Sequence, residues 1–242
     1  MVDYEIIGDD MQAIIFRMKK GERIRAESGA MMYMDDNIQM ETTTGGGVMS
    51  GLKRMVSGES FFIPHFDCVG VQGEVSFSGP FPGKIMPLDV DGKVIMCQKD
   101  SYLCSTDGVD ISIGFTKKLG AGFFGGEGFI LQKLSGRGQA FIHAGGTILE
   151  RNLEPGQELR VDTGCLVAFE DTVHYDIKFV GGVKTALFGG EGLFFALLKG
   201  PGRVLMQTLP FSRLADRVIS ASRAGRGEVS GIRGMLGGDL GF

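Results

Sequence analysis

The chain lacks the residue patterns of the common hydrolases and zinc proteins. Its 242 residues contain neither G-x-S-x-G nor H-E-x-x-H. No two cysteines form a C-x-x-C pair, and the histidines share no ligand spacing. These residues are Cys68, Cys97, Cys104, Cys165, His65, His143 and His174. We therefore predict a protein that is not an enzyme, with no catalytic residue, no metal site and no cofactor.

Signals for export and for membrane insertion are missing as well. The N-terminal MVDYEIIGDD is acidic and has no basic segment followed by an apolar one. The longest nearly apolar stretch, residues 186–198, contains Glu191 and three glycines, whereas a spanning helix needs roughly 20 apolar residues. We expect a soluble cytoplasmic protein with reduced thiols, whose contact with a membrane, if any, is peripheral.

Positive charge is also not in excess. The formal net charge is −4 and the pI is near 5.5, with both signs of charge interspersed along the chain. Such a balance argues against nucleic acid as the main partner. The unusual feature is instead 40 glycines, which have no G-X-Y period and punctuate short apolar runs. This pattern predicts many short strands joined by tight turns.

One motif occurs twice, as FFGGEGF at residues 123–129 and as LFGGEGL at residues 187–193. When the two motifs are aligned, segments 107–144 and 171–208 match without a gap at 12 of 38 positions. Chance would give roughly 3 matches for this composition. The chain is therefore predicted to contain an internal repeat.

A third, more divergent copy lies upstream. SGESFF at residues 57–62 corresponds to GGEGFI at 125–130, and MMYMDDNIQM at 31–40 corresponds to YLCSTDGVDI at 102–111. We predict copies at roughly 22–80, 90–145 and 155–210, within one β domain over 1–210. Residues alternate as in strands, for example in VDISIGF at 109–115. The paired Met31-Met32 and Phe194-Phe195 are interpreted as core or subunit contacts.

The pattern changes after Pro210. Residues 211–222 place Leu214, Val218 and Ile219 on one helical face, which predicts a short amphipathic helix docked on the sheets. Residues 223–242 are rich in glycine and predict a flexible tail.

These repeats resemble a protein family named for altered inheritance of mitochondria in yeast, also called mitochondrial biogenesis proteins. The resemblance rests on SGESFF, on both FGGEG motifs and on the G-x-G turns at 136–138 and 200–202, and it covers about residues 1–222. It implies an all-β, double-sheet, jelly-roll-like sandwich built from internal repeats, similar to the tryptophan RNA-binding attenuation protein. It also implies a homotrimer and supplies no catalytic residue.

The repeated motif has two interpretations. Paired glycines reach positive φ at low cost, so the motif fits a structural corner. Alternatively, its glutamates form a site for a cation or a polar ligand. The residues concerned are Glu59, Phe124, Gly125, Gly126, Glu127, Gly128, Phe188, Gly189, Gly190, Glu191 and Gly192.

Two functions remain open on the sequence. The first is a non-enzymatic oligomeric scaffold or assembly factor, with a protein or a membrane surface as its partner. The alternative is a module that binds a small ligand or RNA. An exposed apolar patch would favour the first, and a positive stripe with exposed aromatic residues would favour the second.

Overall fold

A computed structural model describes residues 2–43, 63–117, 129–179 and 194–222. Within these ranges the chain forms nineteen β-strands and one α-helix, and every paired strand is antiparallel to its neighbour. The predicted all-β class with a short C-terminal helix is confirmed.

The bounds of the strands are as follows. The first seven are β1 (Asp3–Ile7), β2 (Ala13–Lys19), β3 (Arg23–Ala26), β4 (Met31–Met34), β5 (Ile38–Thr43), β6 (Ile63–Cys68) and β7 (Gln72–Ser78). The next six are β8 (Gly83–Asp89), β9 (Ile95–Gln98), β10 (Tyr102–Thr106), β11 (Val109–Lys117), β12 (Phe129–Gly136) and β13 (Gln139–Gly145). The last six are β14 (Ile148–Leu153), β15 (Glu158–Asp162), β16 (Leu166–Glu170), β17 (His174–Phe179), β18 (Phe194–Lys199) and β19 (Gly202–Gln207). Helix α1 spans 211–222.

The strands form four sheets. Sheet A has the order β1-β2-β7-β4, sheet B β5-β6-β3-β10-β13-β8, sheet C β11-β12-β9-β16-β19-β14 and sheet D β15-β18-β17. Adding six to each strand number of sheet B gives sheet C in the same order. The same addition relates β4-β7-β2 of sheet A to β10-β13-β8, and β11-β12-β9 to β17-β18-β15. Sheets B and C therefore each contain two three-stranded half-sheets, whereas sheets A and D contain one each.

The registers of the strands follow the same relation. The β11–β12 hairpin pairs Asp110 with Ser135. The β17–β18 hairpin pairs His174 with Lys199, which are the residues that the alignment of the two FGGEG motifs sets against Asp110 and Ser135. Strand pairing thus agrees with the sequence similarity between the two segments.

Three cores separate the four sheets. The first, between sheets A and B, contains Phe16, Phe66 and Phe77, whose rings meet edge to face at 5.0–6.0 Å. The second lies between sheets B and C, and the third between sheets C and D. Strand β13 is buried along its whole length because each of its faces contributes to a core: Phe141 to the first and Ile142 to the second. Burial of each such side chain stabilises the fold by about 1.5–3 kcal/mol.

Helix α1 touches the sheets mainly through its first turn. The ring of Phe211 stacks on Phe81 with centroids 5.4 Å apart, and Arg213 forms an ion pair of 3.1 Å with Asp162. Val218 and Ile219 are 61% and 48% exposed. The helix was predicted correctly, but the expectation that its apolar face docks on the sheets is wrong for these two residues. The predicted flexible tail, 223–242, lies outside the described residues.

No helix in the described ranges combines the length and the hydropathy that crossing a bilayer requires.

Candidate assembly surface

Strand β4 is an apolar strand that lies at the surface. Its sequence is Met-Met-Tyr-Met, and its four side chains are 37%, 56%, 42% and 38% exposed. One side of β4 pairs with β7. Within the described residues, no strand pairs with its other side. An apolar strand with an unpaired edge is a template for pairing with another chain.

Strands β10 and β16 occupy the same place in sheets B and C that β4 occupies in sheet A. Each of the three pairs with the strand that comes three later in the chain, namely β7 for β4, β13 for β10 and β19 for β16. All three also carry a β-bulge near their first residue: between Met31 and Tyr33, between Tyr102 and Cys104, and between Leu166 and Ala168. The pairing of the three strands is therefore interrupted at the same place.

Their burial is different. Leu103 and Cys104 of β10 are 2% and 0% exposed, and Val167 and Ala168 of β16 are both 0% exposed. Each of these strands has a second neighbour, β3 for β10 and β9 for β16, and lies in a sheet with a core on both faces. We call these two pairings seam B and seam C. Each joins two half-sheets into one six-stranded sheet.

Seam B is also held by an arginine. Arg25 of β3 lies opposite Ser105 of β10. Its guanidinium donates hydrogen bonds to the Asp107 carboxylate at 2.8 Å and to the carbonyl oxygen of Val109 at 3.0 Å. The side chain of Arg25 is only 23% exposed. In seam C the corresponding residue is Met96, which lies opposite Phe169 and packs in the third core.

Strand β15 is also an edge strand. It pairs with β18 on one side, and no described strand pairs with the other side. One of its faces is buried through Val161, which is 5% exposed and belongs to the third core, whereas Glu158 and Arg160 are exposed. Helix α1 contacts the end of this strand, where Arg213 meets Asp162. Along Glu158–Val161, this edge is therefore unpaired by any strand that the structure describes.

The outer face of sheet A is polar. Arg17 pairs with Glu5 and, at 3.4 Å, with Glu74. Partial burial, and after it the negative charges of Glu74 and Asp35, raise the pKa of Tyr33, so its phenol stays neutral. Sheet A thus carries charged pairs on its outer face beside the exposed residues of β4.

The residues singled out by the sequence for a repeated corner or ligand site lie outside the described residues. They are Glu59, Phe124, Gly125, Gly126, Glu127, Gly128, Phe188, Gly189, Gly190, Glu191 and Gly192. Their segments connect β5 to β6, β11 to β12 and β17 to β18. These connections occupy corresponding places in the common strand order. Because the motif residues are outside the described ranges, both interpretations of the motif stay predictions.

The histidines and cysteines form no site in the described residues. No group of three or more metal-binding side chains is found there. None of the cysteines forms a disulfide, and burial raises the pKa of the Cys97 and Cys104 thiols, which keeps them protonated. Burial lowers the pKa of His143, whose ring packs edge to face against Phe81 at 4.7 Å.

Sequence reasoning pointed to Met31-Met32 but not to β15. The methionines are at the surface, so a place in the core is wrong for them, and the subunit contact stays a prediction. Nothing in the composition of Glu158–Asp162 marks it as an edge. The signal that could have found it is the repeat alignment, which sets most of β15 against β9.

Comparisons with known proteins agree with this architecture. The chain is 25% identical over 206 residues to an uncharacterized protein of Streptococcus pyogenes serotype M6, and the match covers 82% of each sequence. The crystal structure of a protein from Streptococcus pyogenes has a TM-score of 0.78 at 21% identity, covering 91% of this chain and 100% of that one, which shows a common fold. Residues 4–209 match the family described as Mitochondrial biogenesis AIM24. Since this match spans most of the sequence, the chain belongs to the mitochondrial biogenesis AIM24 family.

Proposed function

We propose that the protein is a non-enzymatic homotrimeric scaffold or assembly factor. The observation that carries this proposal is β4, an apolar strand exposed along its length at a place where β10 and β16 are buried. Contiguous exposed apolar surface marks interaction sites. An oligomer removes this surface from water and gives the unpaired edge its hydrogen bonds.

The proposal includes a body made of three copies of one six-stranded unit, at residues 13–78, 83–145 and 148–207. The common strand order and the common bulges support it. These bounds begin earlier than 22–80, 90–145 and 155–210, because β2, β8 and β14 each pair with the last strand of their own unit.

A trimer is supported by two considerations. Sheets A and D, at the two ends of the series of sheets, are unlike half-sheets. Contact between unlike surfaces closes into a ring when the rotation permits. The family resemblance of the repeats implies three chains.

The alternative, a module for a small ligand or RNA, has less support. A crevice beside Leu88, Lys93 and Arg203 has a cavity volume of about 30 Å³, against roughly 300–1,000 Å³ for small-molecule sites. Two cations line it, Lys93 and Arg203, and each is paired with a glutamate, at 3.6 Å and 2.7 Å. Their charge is therefore already compensated, which disfavours a phosphate ligand.

Light scattering after size exclusion tests the proposal. At micromolar concentration we expect a particle of three times the chain mass of 26.0 kDa. A monomer at this concentration contradicts the proposal, and so does a trimer whose β4 stays accessible to a water-soluble methionine oxidant at the rate of the exposed Met40.

A further inference from the structure

We propose that β15 of one chain pairs with β4 of a second copy, which joins half-sheets D and A into a third six-stranded sheet. This inference rests on the proposed oligomer and specifies the surface that forms it. The occupant of the exposed β4 edge is thus a second copy of the chain, through β15, which has one side that no described strand pairs.

The identity of the occupant follows from the two seams within the chain. Strand β10 is covered by β3, and β16 is covered by β9. Corresponding strands differ by six in number, so β15 is the counterpart of β9 and β4 is the counterpart of β10. These are the two members of the third seam, and each has one side without a paired strand in the described residues.

The register of this seam can be transferred from the other two. Seam B pairs Cys104 with Ala26, and seam C pairs Ala168 with Cys97. By the bulge, Tyr33 has the place of Cys104 and Ala168. By the pairing of β15 with β18, Val161 has the place of Cys97. The register therefore sets Tyr33 opposite Val161, Met34 opposite Arg160 and Asp35 opposite Leu159.

The charges at the two edges fit this register. Arg160 takes the place of Arg25, which in seam B binds Asp107 in the turn after β10. The matching residue in the turn after β4 is Asp36. Arg160 and Asp36 are both exposed, and neither forms an ion pair within the described residues. Arg160 of one chain and Asp36 of the next would form the counterpart of the Arg25–Asp107 pair.

The partner is a second copy because one chain does not bring its own edges together. The three cores lie between sheets A and B, B and C, and C and D, so sheets A and D are the two ends of the series. Within the described ranges, no hydrogen-bonded pairing joins them. The contact is heterologous, between unlike surfaces, and each chain uses both of its ends once.

Cysteine cross-linking tests both the strands and the register. Met34→Cys and Arg160→Cys are made as separate variants, mixed and exchanged, and oxidised with copper phenanthroline. Directly opposite residues of antiparallel strands have Cβ atoms about 4.5–5.5 Å apart, close to what a disulfide needs. We expect a covalent dimer in the mixture, none in either variant alone, and higher covalent species in the double variant. Met40→Cys mixed with Arg160→Cys is the control, because Met40 is a similarly exposed methionine on β5.

The same samples separate this inference from the proposed function. Light scattering that shows the trimer, together with no Met34–Arg160 cross-link above the Met40 control, overturns the strand pairing and leaves the scaffold. A cross-link within Met34→Cys alone also overturns it, because that product requires like surfaces to meet. A monomer overturns both proposals.

Discussion

Strands β4 and β10 share their pairing pattern but differ in their surroundings. Both pair with the strand three further along the chain, both carry a bulge near the first residue, and both precede a tight turn. Leu103 of β10 is 2% exposed and Met32, at the same place in β4, is 56% exposed. Strand β10 has a neighbour, β3, whereas no described strand pairs with that side of β4. Sheet B also lies between two cores and sheet A borders one, so a second strand and a second layer both contribute to burial at this place.

The faces of the two half-sheets show where the missing neighbour belongs. Phe141 of β13 packs in the first core, and the corresponding residue of β7 is Ser76. Nearby on sheet A, Arg17 is paired with Glu5 and Glu74. The outer face of sheet A thus carries charged pairs beside the exposed residues of β4. Burying these charges under a further sheet would cost free energy, which favours growth at the edge of sheet A.

The largest effect is expected from placing an aspartate at the same position of each strand. Cys104→Asp buries a carboxylate in the first core, where it has no counter-charge, and should lower the free energy of unfolding by about 4 kcal/mol or more. Tyr33→Asp places the same group at a residue that is 42% exposed. It should leave the monomer folded but abolish the trimer, since edge charges oppose strand pairing. Urea unfolding and light scattering measure the two effects.

Met40→Asp provides the matched control, since it changes an exposed apolar residue away from the edge of β4. It should preserve both the fold and the trimer. If Tyr33→Asp unfolds the chain as Cys104→Asp does, β4 is part of the core of the monomer and the comparison with β10 fails. If Tyr33→Asp leaves the trimer intact, the assembly uses a different surface.

A smaller effect is expected from the charges of the third seam. Arg160→Glu should weaken the trimer about tenfold, because it replaces an attraction to Asp36 by a repulsion, and Asp36→Arg should do the same by placing two cations together. The double variant should recover most of the loss, since it restores a pair of opposite charges. Sedimentation over a dilution series gives the three association constants. Additive losses in the double variant would show that the two residues do not meet.

The sequence carries a signal for the predicted repeat but none for how its segments pair with one another. The alignment of the two FGGEG segments and the match of 31–40 with 102–111 can be read from identities and from alternation. That β10 pairs with β3 of the preceding unit cannot, because Arg23–Ala26 and Tyr102–Thr106 carry no local signal for each other. The apolar face of α1 shows the same limit: its periodicity predicts the helix, but not whether Val218 finds a neighbour.

The smallest predicted effect compares β13 with β19. His143 is buried on β13, and the corresponding residue of β19 is the neutral, buried Gln207. Burial lowers the pKa of His143 from its ordinary 6.5, so the unfolded chain binds a proton that the folded chain excludes. Its contribution to stability is therefore present above pH 6.5 and is lost as the pH falls towards the folded-state value. His143→Gln should reduce the slope of the unfolding free energy against pH in this range. The reduction should be less than about 1.4 kcal/mol per pH unit, which is the limit for one proton. Unfolding curves in urea at a series of pH values measure it, and curves of the variant and the parent that stay parallel below pH 6.5 would show that His143 is already protonated or accessible in the folded protein.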